Sequence, residues 1–397
     1  MAAAFFPLDK QLQVPDGHLL PHAQETLVSL SSELPFGRVV KHLKRTLGVV
    51  VPVSTVRRQT LAVGQRMLEV HNEQAQPLAD CPEEKASERL AMSSDGSMVP
   101  LVGGVWAEVK VVAIGQVERR KRKDKEEIVT THLTYFARMS DATTFADQAS
   151  AEMRRRGVER AKEVCAIQDG AEWIQGFVQG HRHDALRILD FAHAASYIYE
   201  IAAKVREAGG HLPVRWVNGV LHRLKHEGPA RLLRHLSRLA SRYPHIQEQV
   251  NYLQKRQSFM QYPTYQQQGW PIGSGSVESS HKFVVQARLK GSGMHWKPAH
   301  INPMLALRLA LLNERWTESW QQQERLRQQQ RQLKRQAHQQ GRLRHQQSKG
   351  QTPAPTLPEA ATPKPTRQKT GRSEAQYRWG RHTFSPRMLK QANGAKK

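Results

Sequence analysis

The chain has 397 residues, a formal net charge of +25 and a sequence pI near 10.4. Its length allows about two or three domains, and an apolar content of 39% is enough for a hydrophobic core, which excludes a wholly disordered protein. The basic charge favours a polyanionic partner, and nucleic acid is the default expectation. From Gln321 onward, 18 Lys or Arg stand against 3 Glu, a net +15 that leaves +10 for the first 320 residues.

Membrane, secretory and disulfide-rich classes are not favoured. No run approaches the roughly 18 to 20 consecutive apolar residues of a membrane helix. The first residues lack the basic segment and long apolar core of a signal peptide, so we expect a cytoplasmic protein. Cys81 and Cys165 are far apart and lack partners at metal-ligand spacing. Cys165 lies in an apolar run and is expected in the core.

Residues 1–72 are predicted to form a helical DNA-binding region. Apolar residues recur at helical spacing up to Gly48, and Ser54 is predicted to cap a helix that continues to about Gly64. A helix, a glycine-containing turn and a capped helix are typical of a helix-turn-helix. The predicted DNA contacts are Arg57, Arg58 and Gln59 on the second helix, with Lys41, Lys44 and Arg45 nearby for phosphates. The alternative is a helical bundle with solvated basic residues.

Residues 73–89 are polar and are predicted to be a linker. Residues 90–210 then contain, in order, β, β, β, α, β, α, β and α patterns, which predict a mixed sheet with helices on both faces. The first strand is expected from Leu90 to Asp95. The charged stretch at residues 119–125 is predicted to be a hairpin tip, with contact to a DNA backbone as the second possibility.

The rest of the chain is predicted to be mostly helical. Residues 211–261 read as a basic helical insertion, and residues 262–320 as the return to the core. Residues 321–397 are rich in Gln and Arg and poor in apolar residues. We expect an extended basic helix to about Gln347, followed beyond Gly350 by a disordered tail that contacts DNA non-specifically.

A glycine- and serine-rich turn precedes Glu278. Ser274 or Ser276 is predicted to cap the helix that follows, which places Glu278 in its first turn. The helix dipole would keep this carboxylate ionised, as a metal ligand must be. The alternative is a capping residue that also forms an ordinary surface pair with Lys282.

Two further acids, Asp95 and Asp169, each end a predicted strand beside a glycine. If those strands are neighbours, both carboxylates stay ionised only with a cation, and two Mg²⁺ ions, or Mn²⁺ in their place, would serve. Such a pair activates a water or a 3′-hydroxyl and stabilises the leaving oxygen of a phosphodiester. Asp190 also ends a predicted strand and competes for the second position. Simple strand termination is the alternative, because Asp-Gly is a common turn.

Four segments together resemble bacterial insertion-sequence transposases of the ISKra type. They are Ser-Asp-Gly-Ser-Met at 94–98, Gln-Asp-Gly-Ala-Glu-Trp-Ile at 168–174, Ile-Leu-Asp-Phe-Ala-His-Ala at 188–194 and Gly-Trp-Pro-Ile-Gly-Ser-Gly-Ser-Val-Glu-Ser at 269–279. The resemblance implies the DDE class, an RNase H-like core and the acidic triad Asp95, Asp169 and Glu278. It implies accessory roles for Asp190 and His193, which resemble an Asp-x-x-His signature. His281 and Lys282 are expected to support the triad or contact phosphate.

The resemblance implies a bacterial DNA transposase associated with the nucleoid. It would bind the terminal inverted repeats of its element through the N-terminal helices, cleave a strand and join the 3′-hydroxyl to target DNA. We expect a homo-oligomer on DNA. The first rival is a structure-selective nuclease that cuts without joining, and the second is an inactive transposase remnant that binds DNA.

Overall fold

The computed structural model describes residues 19–76, 87–122 and 125–350. Three helices come first: α1 (Pro21–Glu33), α2 (Phe36–Leu47) and α3 (Val53–Gln74). The sheet region then contains β1 (Arg89–Pro100), β2 (Trp106–Arg122), β3 (Lys125–Arg138), α4 (Ala142–Arg155), β4 (Glu163–Gln168), α5 (Glu172–His181), β5 (Leu186–Leu189) and α6 (Phe191–Glu207). The predicted order of strands and helices is therefore confirmed.

Helices make up the remainder of the described chain. The inserted helices are α7 (Trp216–Glu227), α8 (Pro229–Arg242), α9 (Gln247–Lys255) and α10 (Tyr262–Gln267). They are followed by α11 (Gly275–Ser280), a π-helical stretch (His281–Gln286), α12 (Ala287–Leu289), α13 (Pro298–Leu312) and α14 (Trp316–Gly350). None of the described helices is long and apolar enough to cross a membrane.

The five strands form one mixed sheet in the order β3-β2-β1-β4-β5. Strand β2 runs antiparallel to both of its neighbours, while β1, β4 and β5 are parallel. Helices cover both faces: Val164 and Ala166 of β4 belong to the apolar cluster that includes α4 and α5, whereas Cys165 and Ile167 belong to the cluster with α6 and the inserted helices. The prediction that Cys165 is a core residue is confirmed.

Strand β1 is longer than predicted, and Asp95 lies within it rather than at its end. The reason is unequal pairing on its two sides. Strand β2 pairs with β1 as far as Pro100, whereas β4 pairs with it only as far as Ser94. The prediction of a hairpin tip at 119–125 also needs correction, because residues 119–122 belong to β2. Residues 123 and 124 lie outside the described chain.

Helix α3 begins and ends outside its predicted bounds. Its N-cap position is Pro52, and the predicted cap Ser54 is already helical. The helix continues past Gly64, and this glycine marks a close packing contact rather than the end of the helix. A Cβ atom at Gly64 would lie 2.5 Å from the main-chain oxygen of Pro303 in α13. By contrast, α2 ends as predicted, with Gly48 in the left-handed conformation at φ 67°.

The N-terminal helices share one apolar cluster with the sheet. Leu27 of α1, Val39 of α2 and Val63 of α3 are buried together with strand residues and with α13. By its contacts the chain divides into a compact unit up to Arg335 and a second unit from Gln336. The predicted extended helix is present as α14, and the predicted disordered tail beyond Gly350 lies outside the described residues.

Candidate active site

Strand register brings three aspartates side by side at one edge of the sheet. Ser94 of β1 lies opposite Gln168 of β4, so the next residues, Asp95 and Asp169, are neighbours. Gln168 also lies opposite Leu189 of β5, which places Asp190 beside Asp169 on the other side. The main-chain N–H of Asp190 donates to the Gln168 carbonyl over 2.9 Å. Parallel pairing thus gathers acids that are far apart in the sequence.

The three aspartates open onto one cavity of about 280 Å³. Its lining includes Asp95, Asp169, Asp190, His193, Ser196 and Ser274. Of the predicted catalytic and accessory residues, Asp95, Asp169, Asp190 and His193 therefore meet at one place.

Asp95 is a carboxyl that resists ionisation. Burial raises its pKa to about 6, and the neighbouring charge of Asp169 adds to the increase. A 2.6 Å hydrogen bond from the Gly96 N–H to Oδ1 acts in the opposite direction. The other oxygen, Oδ2, lies 3.7 Å from Nδ1 of His281. A cation beside Asp95 and Asp169 would favour the ionised forms of both carboxylates.

Asp169 sits in a turn that is held from the helical insertion. Its Oδ1 accepts a 2.9 Å hydrogen bond from the Ala171 N–H. Its main-chain carbonyl accepts a hydrogen bond from the Tyr252 hydroxyl of α9. Arg256 donates through Nη2 to the Gly170 carbonyl over 2.7 Å. Gly170 has φ 86°, and a Cβ there would lie 2.2 Å from Nε of Arg256, so glycine suits this turn on both grounds.

The residues that hold this turn form a stacked column beside the cavity. The Arg256 guanidinium lies 3.6 Å from the centre of the Tyr252 ring. Tyr197 of α6 stacks on Tyr252 at 4.0 Å, nearly parallel to it. The His193 ring meets the Tyr197 ring edge-on at 5.3 Å. His193 therefore lines the cavity with its orientation set by aromatic neighbours.

Both carboxylate oxygens of Asp190 accept hydrogen bonds from the protein. Its Oδ1 caps α6 by accepting from the Ala192 N–H over 2.6 Å. Its Oδ2 accepts from the Ser274 N–H over 3.0 Å and also from the Ser274 hydroxyl. Ser274 makes no side-chain cap on α11, which corrects one predicted role, and instead ties the turn before α11 to Asp190. These contacts suit a positioning residue better than a metal ligand.

Glu278 lies in the first turn of α11, as predicted, but it does not line the cavity. Its side chain is 71% exposed and accepts a 2.9 Å hydrogen bond from Lys282. This is the surface pair that the sequence offered as the alternative. His281, one turn later, does face inward: burial lowers its pKa, the charge of Lys290 adds to the decrease, and Nε2 is buried without a hydrogen-bond partner in the described chain.

The donor atoms fit a divalent cation in part. Two adjacent carboxylates, one with a raised pKa, are the hard oxygen ligands that Mg²⁺ prefers. Within the parts of the chain that the structure describes, however, no three His, Cys, Asp or Glu side chains are grouped so as to hold a metal ion. Asp95 and Asp169 would supply two ligands to such an ion, and Glu278 would not complete the set in this conformation.

The predicted DNA-contacting residues divide into two groups. Five of these side chains are exposed on α2 and α3: Lys41, Lys44, Arg45, Arg57 and Arg58. Gln59 is buried, and its Oε1 accepts a 2.6 Å hydrogen bond from Gln24 of α1. The prediction for Gln59 is therefore wrong, because the residue joins two helices rather than facing solvent.

Sequence reasoning missed Tyr252 and Arg256, and it missed the hydrogen bonds between Ser274 and Asp190. Tyr252 lies 83 residues from Asp169 and Ser274 lies 84 residues from Asp190, so no local pattern connects them.

No family model matches the chain, and no curated protein matches its sequence.

Proposed function

We propose that the chain is a DNA transposase of the DDE class, which binds the ends of its element, cleaves a strand and joins the 3′-hydroxyl to target DNA. The position of Asp95 beside Asp169, where β4 ends next to β1, and on a cavity of about 280 Å³, carries the proposal. The five-stranded mixed sheet with one antiparallel strand is compatible with an RNase H-like core.

Mg²⁺, or Mn²⁺ in its place, is the proposed cofactor, with Asp95 and Asp169 as its ligands. When bound as a pair, the ions would supply an activated water or 3′-hydroxyl and would stabilise the leaving oxygen. Tyr252 and Arg256 hold the main chain around Asp169, so that its carboxylate keeps one position. His193 and His281 adjoin these acids and stand as positioning residues or phosphate contacts.

Glu278 completes the site in this proposal through a movement of the helix that carries it. Its exposed pair with Lys282 is worth only about 0.3 to 0.5 kcal/mol and is readily broken. The helix changes to π-helical winding at His281–Gln286, directly after α11. Although π-helical stretches are rare in proteins, they often occur at functional sites, and a local change of winding is the route proposed for this movement.

Charge supports DNA as the substrate. The chain carries a net charge of +25, and the exposed side chains Lys41, Lys44, Arg45, Arg57 and Arg58 give the N-terminal helices a basic surface. This surface would hold the inverted repeats of the element, while the cavity acts on the strand to be cut.

The deciding experiment is a cleavage and strand-transfer assay. Labelled duplexes from the DNA on each side of the coding sequence serve as candidate ends, a supercoiled plasmid serves as target, and Mg²⁺, Mn²⁺ and a chelator are compared. We expect metal-dependent nicking and joined products from the intact chain, and neither from Asp95→Asn or Asp169→Asn. Asp147→Asn, at an exposed carboxylate on α4, is the matched control and should keep both activities.

Two outcomes would replace the proposal. Nicking without joined products, lost in the same variants, would identify a nuclease that uses the same site. Binding to the flanking DNA without cleavage in any metal would identify a transposase remnant that acts as a DNA-binding protein. The specific observation that favours this second candidate is the exposed position of Glu278 outside the cavity.

A further inference from the structure

Helix α8 of the insertion has one apolar side and one arginine side. Four of its buried residues, Leu232, Leu233, Leu236 and Ala240, belong to the apolar cluster beneath the inserted helices. Its exposed arginines are Arg231, Arg234, Arg238 and Arg242. These arginines are separated by three, four and four residues, so they form a single stripe along the helix. We call them the α8 arginine stripe.

Almost no acidic residues offset the positive charge of the α8 arginine stripe. Glu227 is the single carboxylate between His211 and Ile246, and it pairs with Arg231 over 3.2 Å. Among the described residues, no ion pair involves Arg234, Arg238 or Arg242. An ordinary solvated helix face mixes both signs of charge, whereas four arginines in line produce a local positive field.

Helix α7 adds to the same field. Arg223 on α7 is exposed, as Arg238 on α8 is. Burial lowers the pKa of His235 most, and the charges of both arginines lower it further. His235 Nε2 accepts a 3.3 Å hydrogen bond from Nε1 of Trp216, which suits a neutral imidazole. The basic surface therefore continues from α8 onto α7.

We propose that the α8 arginine stripe binds the phosphodiester backbone of duplex DNA, as a contact surface separate from α2 and α3. The stripe is roughly 17 Å long at 1.5 Å per residue, which matches the rise of about five base pairs. Arginine is suited to phosphate because its planar guanidinium donates two parallel hydrogen bonds.

The stripe is also connected to the candidate active site. Gln254 of α9 donates a 2.9 Å hydrogen bond to Ser237 of α8. The same helix α9 carries Tyr252, which bonds to the Asp169 carbonyl. DNA on the stripe would thus lie on α8, which is hydrogen-bonded to the helix that holds the Asp169 turn. This inference rests on the proposed function in taking DNA as the substrate.

The test measures DNA binding without cleavage. Fluorescence anisotropy of a labelled duplex of arbitrary sequence is followed over a range of salt concentrations, with the full chain in chelator. The variant Arg234→Gln/Arg238→Gln is compared with Lys162→Gln/Arg206→Gln, which removes the same charge from exposed residues outside α8. We expect the first pair to weaken binding and to reduce the slope of log K against log salt by about 1.8, because each phosphate contact contributes about 0.9. The control pair should keep the slope of the intact chain.

Further variants separate the possible results. Arg234→Lys/Arg238→Lys should keep most of the salt slope, since a lysine also neutralises a phosphate. Equal DNA-binding curves for the stripe and control variants would overturn the inference. It would also be overturned if the stripe variants bound poly-glutamate less tightly but DNA as tightly as the intact chain, because the partner would then be an acidic protein. If the stripe variants lose DNA affinity while the intact chain cleaves no DNA, the stripe stands and the transposase proposal falls.

Discussion

The hydroxyl of Tyr252 donates a hydrogen bond to the main-chain carbonyl of Asp169, and the two residues are 83 positions apart. Arg256 makes the companion bond to Gly170, one residue further on. Burial raises the pKa of the Tyr252 phenol, so this group remains a hydrogen-bond donor at neutral pH. The helical insertion therefore fixes the turn that carries a candidate catalytic carboxylate.

Tyr252→Phe should disturb the site while keeping the aromatic stack. Loss of one hydrogen bond should lower the free energy of unfolding by about 1 kcal/mol. It should also weaken Mn²⁺ binding, measured by electron paramagnetic resonance, because the Asp169 turn loses its support. Tyr199→Phe, at an exposed tyrosine of α6, should change neither quantity. Unchanged Mn²⁺ affinity in Tyr252→Phe would limit this residue to a role in stability.

Asp169→Asn and Asp190→Asn should separate a ligand from a positioning residue. Asp190 accepts hydrogen bonds from Ala192 and Ser274 through both oxygens, so its amide variant should lose about 1 to 3 kcal/mol of stability. Asp169→Asn should keep its bond to the Ala171 N–H and lose the repulsion with Asp95, so its stability should be equal or higher. Urea unfolding measures both. Nicking that survives Asp169→Asn would reverse the assignment of the second acid.

Glu278→Gln should have almost no effect on stability. The exposed Glu278–Lys282 pair contributes only about 0.3 to 0.5 kcal/mol. Thermal unfolding should therefore be unchanged, whereas metal-dependent nicking should be abolished if the carboxylate moves to the metal. Lys282→Gln breaks the same pair but leaves the carboxylate in place, so it should retain more cleavage than Glu278→Gln, even where Lys282 contacts phosphate. Equal nicking by Glu278→Gln and the intact chain would remove Glu278 from the triad.

Asp95 should give stability a defined pH dependence in the absence of divalent cations. Its pKa is raised from 3.8 to about 6, so between these values the folded state holds a proton that the unfolded chain releases. The free energy of unfolding should therefore fall as the pH rises through this window. The difference between the intact chain and Asp95→Asn, measured by urea unfolding at pH 4 and pH 7, isolates this effect. A difference that is the same at both pH values would show that Asp95 ionises normally.

Added Mg²⁺ tests the effect of Asp95 ionisation on stability in a second way. A cation that binds only the folded state stabilises it. At pH 7 it should restore part of the stability that the ionised Asp95 removes, and it should do less for Asp95→Asn. Equal stabilisation of both proteins would place the cation elsewhere.

The local sequence pattern was sufficient to predict the order of the helices and strands. The β, β, β, α, β, α, β, α succession, the end of α2 at Gly48 and the burial of Cys165 all followed from the spacing of apolar residues and from glycine. The placement of Glu278 in a first helical turn and its pair with Lys282 were equally local. These features depend on neighbours within a few residues, which is the range that helix periodicity and capping describe.

By itself, then, the amino-acid sequence determined the α/β class, the excess of basic charge and four candidate acids beside predicted strand ends or turns. Tertiary structure decided which of them meet. Parallel register set Asp95, Asp169 and Asp190 in a row, and packing buried Gln59 and made Gly64 a contact with Pro303 instead of a helix end. It also placed Tyr252 on the Asp169 turn and left Glu278 exposed. Strand register and helix packing depend on contacts between distant residues, whose partners no local pattern identifies.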